Sequence, residues 1–157
     1  MNQAIICGKS SYDANRAYNL RNAINAYYTE YRSFPLPKAI DSDVVDTATD
    51  QEIMKYLIYS LPSRPPEFSP RGISFFSDRP AKLASNGRWI NGIKMISDGI
   101  PAVYDHRGNP FLIRIDTSIS GSIVPPDTNK PTQETVLIWG AGRDGDYNTW
   151  ENNPITW

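Results

Sequence analysis

The sequence predicts an α+β fold in which a long N-terminal helix packs on a small antiparallel sheet, with a short second helix and a C-terminal loop. Three observations predict it. Apolar residues recur every three or four positions near the N-terminus, a second and shorter helical pattern follows, and all the strand-like stretches come after both. Helices followed by strands, instead of alternating with them, argue against a parallel sheet.

The first element spans roughly residues 2 to 31. Ala17, Leu20, Ile24, Tyr27, Tyr28 and Tyr31 line one face at the helical period, while Asn15, Arg16, Asn19, Arg21, Asn22 and Asn25 fall mostly on the other. Ile5 and Ile6 extend the apolar character, and Gly8 weakens the helix by about 1 kcal/mol relative to alanine. Pro35 in "SFPLP" lacks a donor and drives Phe34 out of helical geometry, so the helix stops there. At 1.5 Å per residue such a helix is about 42 Å long, more than a domain of this size covers, so part of it should project or belong to a longer helix.

Residues 38 to 48 read as an acidic loop. Thr49 and Glu52 are spaced as a capping box before a second helix with Ile53, Leu57, Ile58 and Leu61 on one face, ended by Pro62. "PSRPPEFSPRG" is a turn-rich linker, and "ISFFS" is a strand candidate. Residues 78 to 100 read mostly as loop, with a short strand around Ile93 to Ile96. "PAVYD" and "FLIRID" flank His106-Arg107-Gly108-Asn109-Pro110 as a hairpin. "TVLIWGAG" is apolar throughout and is expected at the centre of the sheet, ahead of a polar tail.

With 157 residues and 39% hydrophobic content, the chain reads as one domain large enough to need no disulfide staples. Thirteen prolines and nine tyrosines suit a loop-rich, surface-exposed domain. A net charge of −1 and only 21% charged residues provide no basic stripe for nucleic acid. Cys7 is the only cysteine and His106 the only histidine, which leaves no common zinc site. No apolar run approaches the ~20 residues of a membrane helix, and no short apolar segment follows Met1. Either the protein is cytosolic, or a targeting segment has been replaced by the initiating methionine.

The candidate chemistry is sparse. His106 sits in a turn, adjacent Asp105 would point to the opposite face of a strand, and no G-x-S-x-G elbow presents a serine. An exposed turn histidine is the simpler reading, with a small hydrolase using His106 as the rival. "CGKSS" mimics the end of a phosphate-binding loop, but Gln3 stands where its first glycine belongs. The tail is richer. Asp144, Asp146, Asn148, Glu151, Asn152 and Asn153 gather hard oxygen donors around Gly145, the type calcium takes six to eight of. It is not an EF-hand, because Thr149 and Ile155 replace that loop's glycine and its bidentate acid. A loop held by its own hydrogen bonds is the alternative.

Four stretches together carry a family resemblance over most of the chain. They are "NLRNAINAYYTEYRSFPLP", "SPRGISFFS", "YDHRGNPFLIRID" and "VLIWGAGRDGD" with the closing "ENNPITW". In these the chain resembles the soluble part of type II secretion pseudopilins, relatives of type IV pilins, and most closely the major pseudopilin. The family usually has proline and tryptophan where His106 and Arg107 stand here, and it does not use that position for catalysis.

The resemblance implies a non-enzymatic filament subunit, with residues 1–33 the C-terminal half of the long pilin helix and 34–157 the globular head. It implies self-assembly with other pseudopilins into a helical filament, contact with the secretion machinery of the inner membrane, and no nucleic-acid partner. A hydrophobic N-terminal segment would anchor the subunit in the inner membrane before assembly, with the head in the periplasm or at the cell surface. On that reading the chain is a truncated form that begins at a substituted Met1. The family also holds calcium in its last loop through backbone carbonyls and aspartates. That implies a site at Asp144, Asp146, Glu151, Asn152 and Asn153, weakened because Asn152 and Asn153 stand where aspartates are common. The acidic loop and the 78–100 stretch exceed what a minimal pseudopilin needs, which leaves a type IV pilus subunit or an adhesive surface pilin as the alternative.

Overall fold

The structure, a computed structural model, describes residues 3–38, 40–59, 67–95 and 100–157, the side chains of residues 3–10 excepted. Among the described residues the architecture is α+β, with one long N-terminal helix, one short helix and small antiparallel sheets. Helix α1 runs from Gln3 to Tyr31. Asp13, Arg16, Ala17, Leu20, Ala23, Ile24 and Tyr27 are buried along it, a stripe at spacings of three and four. Tyr28 and Tyr31 are only partly buried. The helix ends before the Phe34-Pro35 step because Arg32 adopts a left-handed φ of 53° while its amide still reaches the Tyr28 carbonyl at 2.8 Å.

Strand β1 (Val44–Ala48) occupies part of the stretch expected to be an acidic loop. It pairs with β6 (Leu112–Asp116), which pairs in turn with β7 (Val136–Trp139), all antiparallel. The central strand is therefore β6, not the more apolar β7. All of β7 is buried nonetheless, because α1 and the core cover its sides and the tail runs along its far edge. There Trp139 bridges Ile155, and the Gly140 amide donates to the Pro154 carbonyl at 3.0 Å.

The second helix, α2 (Ile53–Leu57), is shorter than expected and has no side-chain cap. Thr49 has another task, described below. Ile53, Met54, Leu57 and Ile58 are buried against α1 and the sheet, whereas Leu61 and Pro62 lie outside the described residues. "ISFFS" is not a strand. The Phe75 and Phe76 amides both donate to the Leu57 carbonyl at the end of α2, so this backbone is satisfied without a neighbouring strand.

The stretch expected to be mostly loop carries β2 (Lys82–Leu83) and β3 (Trp89–Ile90), and the short strand expected around Ile93 to Ile96 is β4 (Gly92–Met95). β2 pairs with β3, and β4 pairs with β5 (Pro101–Tyr104). Ile96 lies outside the described residues.

The expected hairpin around His106 is opened after its first rung. Tyr104 bridges Pro110 and the Asp105 amide reaches the Asn109 carbonyl at 2.9 Å, but β5 and β6 then belong to different sheets. Thr49 stands between them. Its backbone takes the Val103 amide and gives to the Phe111 carbonyl, each at 2.9 Å. Its hydroxyl donates to the Val103 carbonyl at 2.6 Å and accepts from the Phe111 amide at 2.9 Å. One fully buried threonine thus stitches the two sheets together.

Candidate functional site

Three loops converge beside the N-terminal half of α1: the β2–β3 turn, the turn at residues 105–109, and the tail loop after β7. Between them lies a polar cavity of about 410 Å3 lined by Arg88, His106, Arg107, Asn109 and Asp144 among others. Each wall is built by a side chain that turns back on its own backbone.

Asp105 builds the first wall. It is 1% exposed, and its Oδ1 accepts the amides of Arg107 and Asn109, both at 2.8 Å. Burial raises its pKa most strongly, the two amides oppose that, and the nearby Asp13 carboxylate adds to the rise. Arg88 reaches across from the β2–β3 turn to the Gly108 carbonyl at 3.1 Å and to Asn109 Oδ1 at 2.9 Å.

His106 departs from the sequence expectation. It is not an exposed turn histidine, since its side chain is 11% exposed and its Nδ1 is bonded to the buried carboxylate of Asp13 on α1. An ionised carboxylate only accepts, so Nδ1 carries the proton in that state. Asp13 also pairs with Arg16 at 2.9 Å, and Arg16 pairs in turn with Asp78. Arg16, expected on the solvent face, is 5% exposed because two carboxylates neutralise it.

A carboxylate-oriented histidine is half of a hydrolytic triad. Among the described residues, however, no hydroxyl or thiol is hydrogen-bonded to its Nε2. The side chains of Cys7, Lys9 and Ser10 in the phosphate-loop mimic lie outside the described residues.

The tail loop is knit by short-range bonds. Asp144 accepts the Asp146 amide at 3.0 Å and the Thr149 hydroxyl at 2.6 Å; the hydroxyl, and then the amide, hold its carboxyl below the usual range. Asp146 accepts the Asn148 amide at 2.9 Å. Tyr147 ties the loop to the 105–109 turn through the Pro110 carbonyl at 2.6 Å, and burial pushes its hydroxyl pKa upward.

Glu151 and Asn152 are exposed. Asn153 is buried, and among the described residues neither polar atom of its side-chain amide has a hydrogen-bond partner. It presses on Gly142, whose φ of 64° suits glycine and where a Cβ would collide with the Asn153 amide oxygen and the Asn152 carbonyl. Trp139, Trp150 and Trp157 pack on one another, with ring centroids 5.9 to 6.5 Å apart.

The sequence-predicted ligands are thus brought into one loop in three different states. Asp144 and Asp146 face solvent with part of their acceptor capacity used, Glu151 and Asn152 are free to the solvent side, and Asn153 is buried and unsatisfied. Among the described residues no three His, Cys, Asp or Glu side chains cluster as a metal group, so such a site would need the asparagine and backbone oxygens. Sequence reasoning missed Asp13, Asp78 and Arg88, gave Asp105 no part in a site and placed Arg16 on the polar face. Asp13 and Arg16 carried a usable signal, an acid and base three apart on the same stripe as Leu20.

Searches of family models, of curated proteins and of solved structures find no match to the chain. Among the described residues no helix is long and apolar enough to cross a membrane.

Proposed function

We propose that the chain is a structural subunit of a periplasmic pseudopilus that drives protein export by type II secretion. The observation that carries this reading is the asymmetry of α1. One stripe of its C-terminal two-thirds is buried on β7 and α2, while Tyr12, Tyr18, Asn19, Asn22 and Asn25 stay outward. A 29-residue helix that packs one face on the head and leaves polar and aromatic residues on the other suits packing of helices in a filament core. On this pilin-like reading, a hydrophobic stretch N-terminal to α1 anchors the subunit in the inner membrane, and the head faces the periplasm. The subunit then associates with other pseudopilins and the inner-membrane secretion machinery and performs no catalysis.

Deleting the gene in the bacterium that encodes it tests the reading. Loss of secreted proteins with surface pili intact is expected. Intact secretion with intact pili would overturn it, and loss of pili alone would favour the alternative. That alternative, a type IV pilus subunit or adhesive pilin, draws on one observation: the extra β2–β3 and β4–β5 pairs and the polar cavity they help to wall.

The same reading includes one calcium ion in the tail loop. The unpartnered Asn153 amide supports it, since a buried carbonyl oxygen without a donor fits a hard cation. Asp144, Asp146 and Glu151 would supply charge and Asn152 and Asn153 neutral oxygens. Bound there, calcium would cross-link the loop.

A further inference from the structure

We propose that the outer edge of β1 is a docking site for an extended, basic peptide segment that adds to the sheet as a further strand. The inference does not rest on the filament reading. Asp43 and Thr49, which bracket β1, both bond towards the β6 side: the Asp43 carbonyl accepts the Thr117 amide, and Thr49 exchanges bonds with Phe111. An antiparallel ladder alternates, so Val45 and Thr47 bond to β6 as well, and Val44, Asp46 and Ala48 direct their amides and carbonyls outward. The Ala48 carbonyl is taken by the Gln51 amide and the Val44 carbonyl by the Ser42 hydroxyl. Among the described residues, both backbone groups of Asp46 and the Val44 amide have no partner on that side.

Natural edges are blunted by lysine, proline, bulges or a covering element. This one carries no lysine, proline or bulge among the described residues; its protection is its five-residue length and the acids Asp43 and Asp46, which repel an acidic strand but not a basic one. Alongside it runs a mostly apolar groove of about 390 Å3, lined by Leu36, Pro37, Ile40, Val45, Thr47 and Ile53 among others. Ile40 and Val44 are more than 40% exposed. An unpaired edge beside an apolar groove is the arrangement by which sheets capture extended peptides, the main chain giving affinity and alternate side chains filling the groove.

Charge selects the occupant. Asp41, Asp43, Asp46, Asp50 and Glu52 are all exposed within and around β1. Among the described residues Asp46 is paired with Arg114 and Glu52 with Lys55, while Asp41, Asp43 and Asp50 have no ion pair. A second copy of β1 would set like charges against each other, which is destabilising across a strand pair. A segment alternating lysine or arginine with isoleucine or valine meets both demands.

The test is a titration of isotope-labelled protein with a fluorescent alternating Lys/Ile peptide of about seven residues, and with the same peptide N-methylated at alternate amides. Expected are saturable binding, amide shifts centred on Val44–Ala48, and at least a tenfold loss on N-methylation in the bonding register. Asp43→Asn with Asp50→Asn should weaken binding roughly three- to tenfold. Equal binding of the methylated peptide, shifts centred elsewhere, or no binding at millimolar peptide would each overturn the proposal. So would sedimentation showing self-association through β1 in place of peptide capture.

Discussion

The carboxylate of Asp13, buried on the helix, is bonded to Nδ1 of His106, 93 residues further along the chain. That contact pins the 105–109 turn to α1, and with Arg16 and Asp78 it forms a four-membered ionic node at the border of the core. Its members are worth little singly in water, but a buried charge deprived of its partner is costly.

Asp13→Ala should therefore destabilise the fold by about 1 to 3 kcal/mol, because it leaves His106 Nδ1 unpaired in a buried setting and Arg16 with Asp78 alone. His106→Ala should cost less, and the double variant should fall short of the sum. Urea unfolding of the two single variants and the double variant measures this coupling. Strict additivity would mean that the node is not one unit.

Thr49 gives a second prediction. Valine has its shape but none of its hydrogen-bonding capacity, so Thr49→Val leaves the buried Val103 carbonyl and Phe111 amide each short of one bond. A loss of about 1 to 3 kcal/mol is expected, with Thr49→Ser close to wild type. Faster hydrogen exchange at Phe111 in the valine variant would locate the effect.

These two residues also mark where the sequence was legible. The helical stripe through Ala17, Leu20, Ile24 and Tyr27 could be read directly, because three-four periodicity is local. So could the existence of β5, β6 and β7 as apolar runs. Thr49 looked like a helix cap because its spacing to Glu52 fits one, and only the approach of two sheets gave its hydroxyl a better use. Arg16 looked solvated because its second neutralising partner, Asp78, lies 62 residues away. Asp41, Asp43 and Asp46 disguised β1 as a loop, since charge is tolerated on an edge strand that exposes one side. The tail ligands were legible as a cluster, but the burial of Asn153 depends on the close approach that Gly142 permits.

Leu20 is fully buried in the core cluster with Ile24, Ile138 and Val136. Leu20→Ala should cost about 2 to 5 kcal/mol by loss of transfer energy and creation of a cavity. Chemical denaturation measures it, and a midpoint equal to wild type would remove α1 from the core.

Asp116 predicts a pH dependence. Burial alone would raise its carboxyl, but the Ser118 and Ser120 hydroxyls and the Gly121 amide outweigh that and hold it below the usual range. A carboxyl depressed in the folded state contributes stability above its unfolded pKa of about 3.8, and this is lost as pH falls through the folded value. Asp116→Asn keeps one acceptor and loses the rest, so a cost of about 1 to 3 kcal/mol is expected at neutral pH. The gap from wild type should stay level between pH 8 and 5, then close on acidification below about 4. A gap that persists unchanged at pH 2 would assign the cost to packing.

The last prediction concerns the tail loop, where two physical accounts compete. In one, the Asp144, Asp146 and Thr149 bonds suffice to order the loop, and Trp150 and Trp157 pack on each other without help. In the other, calcium gathers the carboxylates and draws on the unsatisfied Asn153 oxygen. Linkage separates them. An ion that binds only the folded loop stabilises it by RT ln(1 + [L]/Kd), so a hundredfold excess over Kd should raise Tm by roughly 5 to 10 °C in a chain of this size. Asp144→Asn with Asp146→Asn should abolish that rise, because it removes the charge that pays for dehydrating the ion. Asn153→Asp should enlarge it by restoring a carboxylate beside Gly142. Thermal melts in EDTA and in millimolar calcium, with calorimetry for the heat of binding, decide the matter. Equal midpoints and no binding heat would leave the metal-free loop standing, with Asn153 a buried amide held in place by its neighbours alone.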